Sequence, residues 1–74
     1  MTNQLNSYSD KELIRKWGDK LKRMRIDAGY SQTDLAEKTG MSRSSIAAIE
    51  KGRNFSIGSL ISIARALDQL ELFE

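Results

Sequence analysis

Residues 31–53 have the sequence SQTDLAEKTGMSRSSIAAIEKGR, which predicts two short helices joined by a tight turn at Gly40. In the second helix, Ile46 and Ile49 are three positions apart and therefore share one face. We expect this isoleucine face to hold the fold and the opposite face to be available for contact with a ligand. The outward face carries small and polar residues, namely Arg43, Ser44, Ala47, Ala48 and Lys51.

Four serines in the chain share one local pattern. Each is preceded by a large apolar residue and followed four positions later by another apolar residue. An N-cap serine with a hydrophobic staple has this pattern, and Glu12 and Asp34 add the acidic residue of a capping box to the first two. The pattern therefore predicts helix starts directly after Ser9, Ser31, Ser42 and Ser56.

Apolar residues recur at helical spacing along almost the whole chain, which contains no proline, so an all-α fold is predicted. Gly29, Gly40 and Gly52 suit helix ends. We expect a disordered N-terminal segment at residues 1–8 and a single domain at residues 9–74. The predicted helices cover about residues 10–27, 32–39, 43–51 and 57–68, and residues 69–73 either continue the last helix or form a fifth, short one.

The first and last helices carry apolar stripes. In the first helix the stripe predicts core packing for Trp17, a role that its spacing favours over base stacking; the stripe consists of Leu13, Trp17, Leu21, Met24 and Ala28. The stripe of the last helix is wider than one packing face needs; it consists of Ile57, Leu60, Ile61, Ile63, Ala64 and Leu67. An apolar tail follows it, so we expect a dimer or partner surface beyond the monomer core. We assign to that surface Ile63, Leu67, Leu70, Leu72 and Phe73.

The composition limits the chemistry that the chain can perform. Its 74 residues suit one domain near the lower size limit for a single hydrophobic core. Without cysteine or histidine it cannot form disulfides, the usual zinc ligand sets, or Cys-His and Ser-His-Asp catalytic arrangements. The serines around Arg43 lack a base that could activate a nucleophile. We therefore expect no enzyme activity, no cofactor and no small-molecule ligand.

The net charge of +2 is distributed unevenly. Residues 1–55 hold eleven Lys and Arg against seven Asp and Glu, whereas residues 56–74 hold one against three. This asymmetry suggests an anionic partner for the first part and a different role for the tail. The first residues lack the basic region and apolar run of a signal peptide, and no stretch approaches a membrane span. We expect a cytoplasmic protein without membrane contact.

These features together resemble the helix-turn-helix family of the phage Cro and lambda-type repressors, the XRE family. The resemblance covers about residues 20–67, and its spacing matches the family throughout. It implies a compact lambda-repressor-like domain of four to five helices, in which the third helix enters the major groove of DNA while the second lies across the backbone. Its carriers are residues 29–32 (GYSQ), Leu35, Ala36, Gly40, Ser45, Ile46 and residues 49–52 (IEKG).

The resemblance assigns base reading to Arg43, Ser44 and the position of Ala48. An arginine fork matches the O6/N7 edge of guanine, although Arg43 could contact phosphate instead. Ala48 departs from relatives that carry a long polar side chain there, so discrimination would depend on few side chains and on DNA shape. Contacts to the DNA backbone are implied for Gln32, Ser42, Ser45, Lys51, Arg53 and Asn54. The cations among them also suit a helix C-terminus without any ligand.

The resemblance further implies an ion pair between Arg25 and Glu50 that links the first helix to the third. We expect this pair to be structural, since Glu50 falls near the inward face of Ile46 and Ile49. Loss of Arg25 would then leave a partly buried carboxylate without its partner.

Two functions follow from these patterns. The first is a sequence-specific transcriptional regulator that binds double-stranded DNA as a homodimeric repressor or autoregulator, with an inverted-repeat operator. The second is an antitoxin-type interaction module, which would bind a toxin-like partner protein through the C-terminal apolar surface and autoregulate its operon. An apolar, acidic tail is compatible with both.

Overall fold

The computed structural model describes residues 7–53 and 55–73, without the side chains of residues 72 and 73. This part of the chain is helical and contains no strand, which confirms the predicted all-α fold. Its helices are α1 (Asp10–Asp27), α2 (Gln32–Thr39), α3 (Arg43–Glu50), α4 (Ile57–Ala66) and a 3₁₀ helix (Leu70–Phe73). None of the described helices is long and apolar enough to cross a membrane. The disorder expected for residues 1–8 falls mostly outside the described residues.

All four α-helices begin at the serines that the sequence pattern indicates. Each serine hydroxyl accepts the backbone N–H three residues later, at 3.0–3.1 Å. At α1 and α2 the cap is reciprocal: the Ser9 N–H donates to the Glu12 carboxylate and the Ser31 N–H donates to the Asp34 carboxylate, each at 2.9 Å. Both predicted capping boxes are therefore confirmed.

The helix ends depend on residues in the left-handed region. Gly29 and Gly52 follow α1 and α3 at φ 82° and 81°. In both cases the N–H groups of the glycine and of the residue after it donate to carbonyls in the last turn of the helix. After α4 the same position is held by Asp68 at φ 59°. A residue in this conformation cannot continue an α-helix, so α4 ends two residues before its predicted limit and the tail forms a separate 3₁₀ helix.

The core lies around α3, which packs against both α1 and α2, while α2 also packs against α4. Ile46 and Ile49 of α3 are 0% and 1% exposed, as the sequence pattern predicts. They contact a single cluster from the other helices. Its buried members are Leu21, Leu35, Ala36, Ile63 and Leu67. The outward face of α3 is thus set by the burial of its inward face.

The predicted core role of Trp17 is wrong, because its side chain is 50% exposed. The neighbouring Gly18 is buried instead and lies directly against the carbonyl oxygens of Ile49 and Glu50. α1 therefore approaches α3 through a residue that has no side chain, while the neighbouring Trp17 stays half-exposed. Ala28 of the same predicted stripe is also exposed, since it lies at the C-cap.

The predicted partner surface also needs correction. Ile63 and Leu67 are 1% and 7% exposed because they pack into the monomer core, so they cannot form that surface. Leu70 is 38% exposed and remains a candidate, whereas the side chains of residues 72 and 73 lie outside the described part of the chain. The exposed apolar residues of α4 are Ile57 (70%) and Ile61 (37%), which are four positions apart and share a face next to the core.

Candidate nucleic-acid interface

The turn between α2 and α3 is held by Thr39 and Gly40. The Thr39 hydroxyl donates to the Leu35 carbonyl at 2.8 Å and accepts the Met41 N–H at 3.2 Å. Gly40 has φ 75°, and its N–H bonds to the Ala36 carbonyl at 2.9 Å. Met41 packs against the core cluster directly after the turn. These contacts fix the angle at which α3 leaves α2.

The outward face of α3 is exposed at its N-terminus and small in its middle. Arg43 and Ser44 are exposed, whereas Ala47 and Ala48 are half-buried. The face therefore offers one long cationic side chain and one hydroxyl, followed by two methyl groups over which another molecule can approach the helix closely. This is the arrangement expected from the sequence, and its contacts with DNA stay a prediction.

The serine cluster at the start of α3 serves as a cap. The Ser42 hydroxyl accepts the Ser45 N–H at 3.0 Å, donates to the Ser45 hydroxyl at 2.8 Å and lies 3.2 Å from the Ser44 hydroxyl. After these bonds the Ser45 hydroxyl still has its own hydrogen to donate. Among the described residues, no cluster of acidic side chains, histidine or cysteine could hold a metal ion.

Arg25 and Glu50 form an ion pair between α1 and α3. Arg25 Nε lies 2.6 Å from Glu50 Oε2, and a second guanidinium nitrogen lies 3.2 Å from Oε1. Arg25 also donates to the carbonyl of Tyr30 at 2.7 Å, which fixes the chain just before α2. The side chains are 9% and 4% exposed, so solvent screens the pair weakly. The Arg25 guanidinium therefore joins three segments of the domain, namely α1, the end of α3 and the chain just before α2.

Gln32 is also part of this network, a contact that the sequence alone did not indicate. Its side-chain N–H donates to Glu50 Oε1 at 3.0 Å, which ties the first turn of α2 to the end of α3. A carboxylate can accept about four hydrogen bonds, so a buried Glu50 needs more donors than Arg25 alone supplies. A buried glutamate therefore indicates that a further hydrogen-bond donor lies nearby, but the sequence does not show which residue provides it.

A second group of cations lies at the other end of α3. Lys51 and Arg53, expected from the sequence, line a groove together with Gly52 and two residues of α1, Lys11 and Arg15. We call this set of five residues the basic groove. The α1 contribution was missed, although Lys11 and Arg15 are four positions apart and hence on one helix face. Asn54, the remaining predicted backbone contact, lies outside the described residues.

Hydrogen bonds lower the pKa values of the two acidic residues in the capping boxes. The pKa of Asp34 is lowered from its ordinary value of 3.8, mainly by the backbone N–H of Ser31 and then by the Ser31 hydroxyl. The pKa of Glu12 is lowered from 4.5 by the same two kinds of bond from Ser9. Hydrogen bonds to the charged form are the cause in both cases.

Comparison with known proteins identifies the family of the chain. Residues 21–74 match the model of a family described as helix-turn-helix. A Pyrococcus furiosus protein that bears the name of an HTH-type transcriptional regulatory protein is 38% identical over 61 residues. That match covers 82% of this chain and 18% of the relative, so the chain spans less than a fifth of the relative's length. The chain thus belongs to the helix-turn-helix family of Cro and lambda-type repressors, the XRE family of DNA-binding transcriptional regulators.

Proposed function

We propose that this domain is the sequence-specific DNA-binding unit of a transcriptional regulator and that it inserts α3 into the major groove. The observation that carries the proposal is the exposure of Arg43 and Ser44 at the start of a helix whose other face is locked in the core. An α-helix fits the major groove, and in helix-turn-helix proteins the N-terminal residues of the second helix of the motif contact base edges.

The roles on α3 divide by chemistry. Arg43 binds guanine through its fork, Ser44 bonds to more than one base, and Ala48 meets a thymine methyl or permits close approach. Because Ala47 beside it is also small, few hydrogen bonds would specify the sequence. The shape and deformability of the DNA would therefore supply part of the specificity.

The contacts to phosphates surround this reading face. Gln32 gives one amide N–H to Glu50 and keeps the other for a phosphate at the start of α2. At the start of α3 the Ser45 hydroxyl contributes its free hydrogen, and Ser42, which donates its own hydrogen to Ser45, orients that hydroxyl. Lys51 and Arg53 contribute cations at the end of α3. Asn54 is assigned to this group by its position alone. Phosphate contacts of this kind position the protein without specifying sequence.

The regulator would act as a homodimer in the cytoplasm, bound to the nucleoid. Ile57, Ile61 and Leu70 are the exposed apolar residues that support a seam at α4 and the tail. Two-fold symmetry would set two copies of α3 in successive major grooves, about 34–36 Å apart, on an inverted repeat. Such a dimer represses by covering a promoter.

Selection of bound duplexes from random DNA tests this proposal. We expect enrichment of an inverted repeat whose half-sites are one helical turn apart, and binding at least about a thousandfold tighter than to random duplex. Failure to enrich any sequence, with folded protein, would contradict sequence-specific binding. Enrichment of a single half-site without symmetry would contradict the dimer alone.

An antitoxin-type module is the second candidate, and the same exposed residues of α4 support it. In that case Ile57 and Ile61 would contact a different protein rather than a second copy. Size-exclusion chromatography with light scattering separates the two candidates. A purified dimer favours the first, whereas a monomer that forms a defined complex with a co-expressed neighbour of its own operon favours the second.

A further inference from the structure

The first half of α1 and the end of α3 build the basic groove together. Its four cations are exposed, two of them on α1 (Lys11 and Arg15) and two after α3 (Lys51 and Arg53). The family match begins at residue 21, so the α1 half of the groove precedes the matched part of the chain. The features that define the family therefore do not account for it.

Two glycine contacts fix the groove. A Cβ on Gly52 would lie 2.9 Å from the Arg15 Cα, and Gly18 meets the last carbonyls of α3. Lys11, Arg15 and Gly18 occupy positions i, i+4 and i+7 of α1 and therefore share a face. As this face runs toward the helix N-terminus it passes first the end of α3 and then Gly52. The two α1 cations are thus held beside the segment that follows α3.

The charges of the groove are not neutralised by neighbours. Within residues 7–53 and 55–73, carboxylates form ion pairs with Arg23 and Arg25 but with none of the groove cations. Of the two acidic residues next to Lys11 in the sequence, Glu12 accepts the Ser9 N–H in its capping box, and Asp10 forms no ion pair with a groove cation in the described part of the chain. The groove is therefore a concentration of positive charge that favours an anionic ligand.

Capping of α3 does not require these cations. The carbonyls of Ala48 and Ile49 accept the backbone N–H groups of Arg53 and Gly52 at 2.8 and 2.9 Å. Gly52, at φ 81°, makes this backbone cap possible. The lysine and arginine side chains beside the cap are therefore available to bind a ligand.

We propose that the basic groove binds phosphates of the DNA backbone, so that the first half of α1 extends the DNA-contacting surface beyond the helix-turn-helix motif. The proposal rests on the proposed function. The eight residues of α3 are about 12 Å long at 1.5 Å per residue, which is also about the width of the major groove. When the start of α3 meets base edges, its end reaches the phosphates that border the groove.

The test compares two double variants of the full chain that remove the same charge from the same helix. Lys11→Gln/Arg15→Gln neutralises the α1 half of the groove. Lys16→Gln/Lys20→Gln neutralises two exposed lysines on the far side of α1. Binding to a selected operator duplex and to a random duplex is measured by fluorescence anisotropy over a salt series.

The groove variant should make the dependence of log K on log salt shallower. The magnitude of the negative slope should fall by about 1–2, since each lost phosphate contact reduces that magnitude by about 0.9. It should weaken operator and random duplex equally, because phosphates carry no sequence. The control should retain the wild-type slope, and Lys11→Arg/Arg15→Lys should retain it as well.

An unchanged slope in a folded groove variant, or an equal change in the control, would overturn the proposal. The proposed function has a separate failure, because it falls if the wild-type protein prefers no selected sequence. If the wild type binds its operator specifically and the groove variant keeps the wild-type slope, only the role of the groove is lost.

Discussion

At the scale of single residues, Glu50 is the position on which the geometry of the site depends. It lies 8% exposed at the end of α3 and accepts hydrogen bonds from Arg25 and Gln32. Arg25 in turn holds the Tyr30 carbonyl before α2. The start of α2 and the end of α3 are thus fixed relative to one another by a charged network.

Removing Arg25 should destabilise the domain strongly. Arg25→Ala leaves the Glu50 carboxylate buried with one donor, and such changes cost about 3–5 kcal/mol. Arg25→Lys should recover little of this, because an ammonium cannot match both carboxylate oxygens in the geometry of the guanidinium fork. The free energy of unfolding from urea titration measures both variants.

The double variant Arg25→Met/Glu50→Leu is the control for burial of charge. It removes both partners, so it should be more stable than Arg25→Ala alone. An Arg25→Ala variant as stable as the wild type would contradict the structural role of the pair.

The sequence predicted some of the contacts that single residues make and missed others. The Arg25–Glu50 assignment followed from the family resemblance. Gln32 donating to Glu50, and Gly18 against the α3 carbonyls, depend on how closely α1 and α2 approach α3. A glycine inside a helical pattern was the one local hint of that approach. Trp17 was misplaced because its spacing fits the predicted apolar stripe, whereas the buried residues of α1 are Gly18, Leu21 and Arg25.

At the scale of the helices, the starts could be predicted better than the ends. N-capping is a local interaction, because the serine side chain accepts the backbone N–H of the residue three positions later. All four predicted serine caps are present. The end of α4 depends on Asp68 adopting φ 59°. Aspartate tolerates this conformation, but an aspartate in a sequence does not by itself predict it.

The two capping boxes should stabilise the folded protein at neutral pH and lose this contribution to stability as the pH becomes acidic. The pKa values of Glu12 and Asp34 are lower in the folded protein than their ordinary values of 4.5 and 3.8. Their contribution is therefore complete above those values and declines as the pH falls toward the folded pKa values. Glu12→Gln/Asp34→Asn should lose less stability than the wild type between about pH 7 and about pH 3.

Urea titrations at the two pH values measure this difference. Asp27→Asn/Glu37→Gln is a suitable comparison, since it removes one exposed carboxylate from each of α1 and α2, and neither takes part in a capping box or in an ion pair of the described residues. Identical pH dependence in the wild type and the capping variant would show that the boxes contribute nothing to it.

At the scale of the whole molecule, the monomer buries one core and leaves an apolar edge on α4. The sequence pattern showed that the apolar stripe of α4 is wider than one packing face needs, but we assigned Ile63 and Leu67 to the surface outside the core. Packing of α4 onto α2 buries those two and exposes Ile57 and Ile61. Which side of a wide stripe faces the core is decided by neighbouring helices and cannot be derived from spacing alone.

The proposed dimer should depend on this edge. Ile61→Glu places a charge in the seam, so we expect a shift from dimer to monomer in light scattering and weaker binding to an inverted repeat. Ile26→Glu is the matched control, because Ile26 is 54% exposed on α1 and lies outside the proposed seam. An Ile61→Glu variant that remains dimeric would exclude this edge as the seam.

The central claim is that the start of α3 reads bases, and the ratio of affinities for selected and random duplexes tests it most directly. Measured at one salt concentration, Arg43→Ala should reduce this ratio by about 5- to 150-fold, corresponding to the loss of about 1–3 kcal/mol of discrimination. Lys51→Ala, at the other end of α3, should weaken both duplexes and leave the ratio unchanged. Equal losses on both duplexes for Arg43→Ala would contradict base reading by this residue and place it among the phosphate contacts.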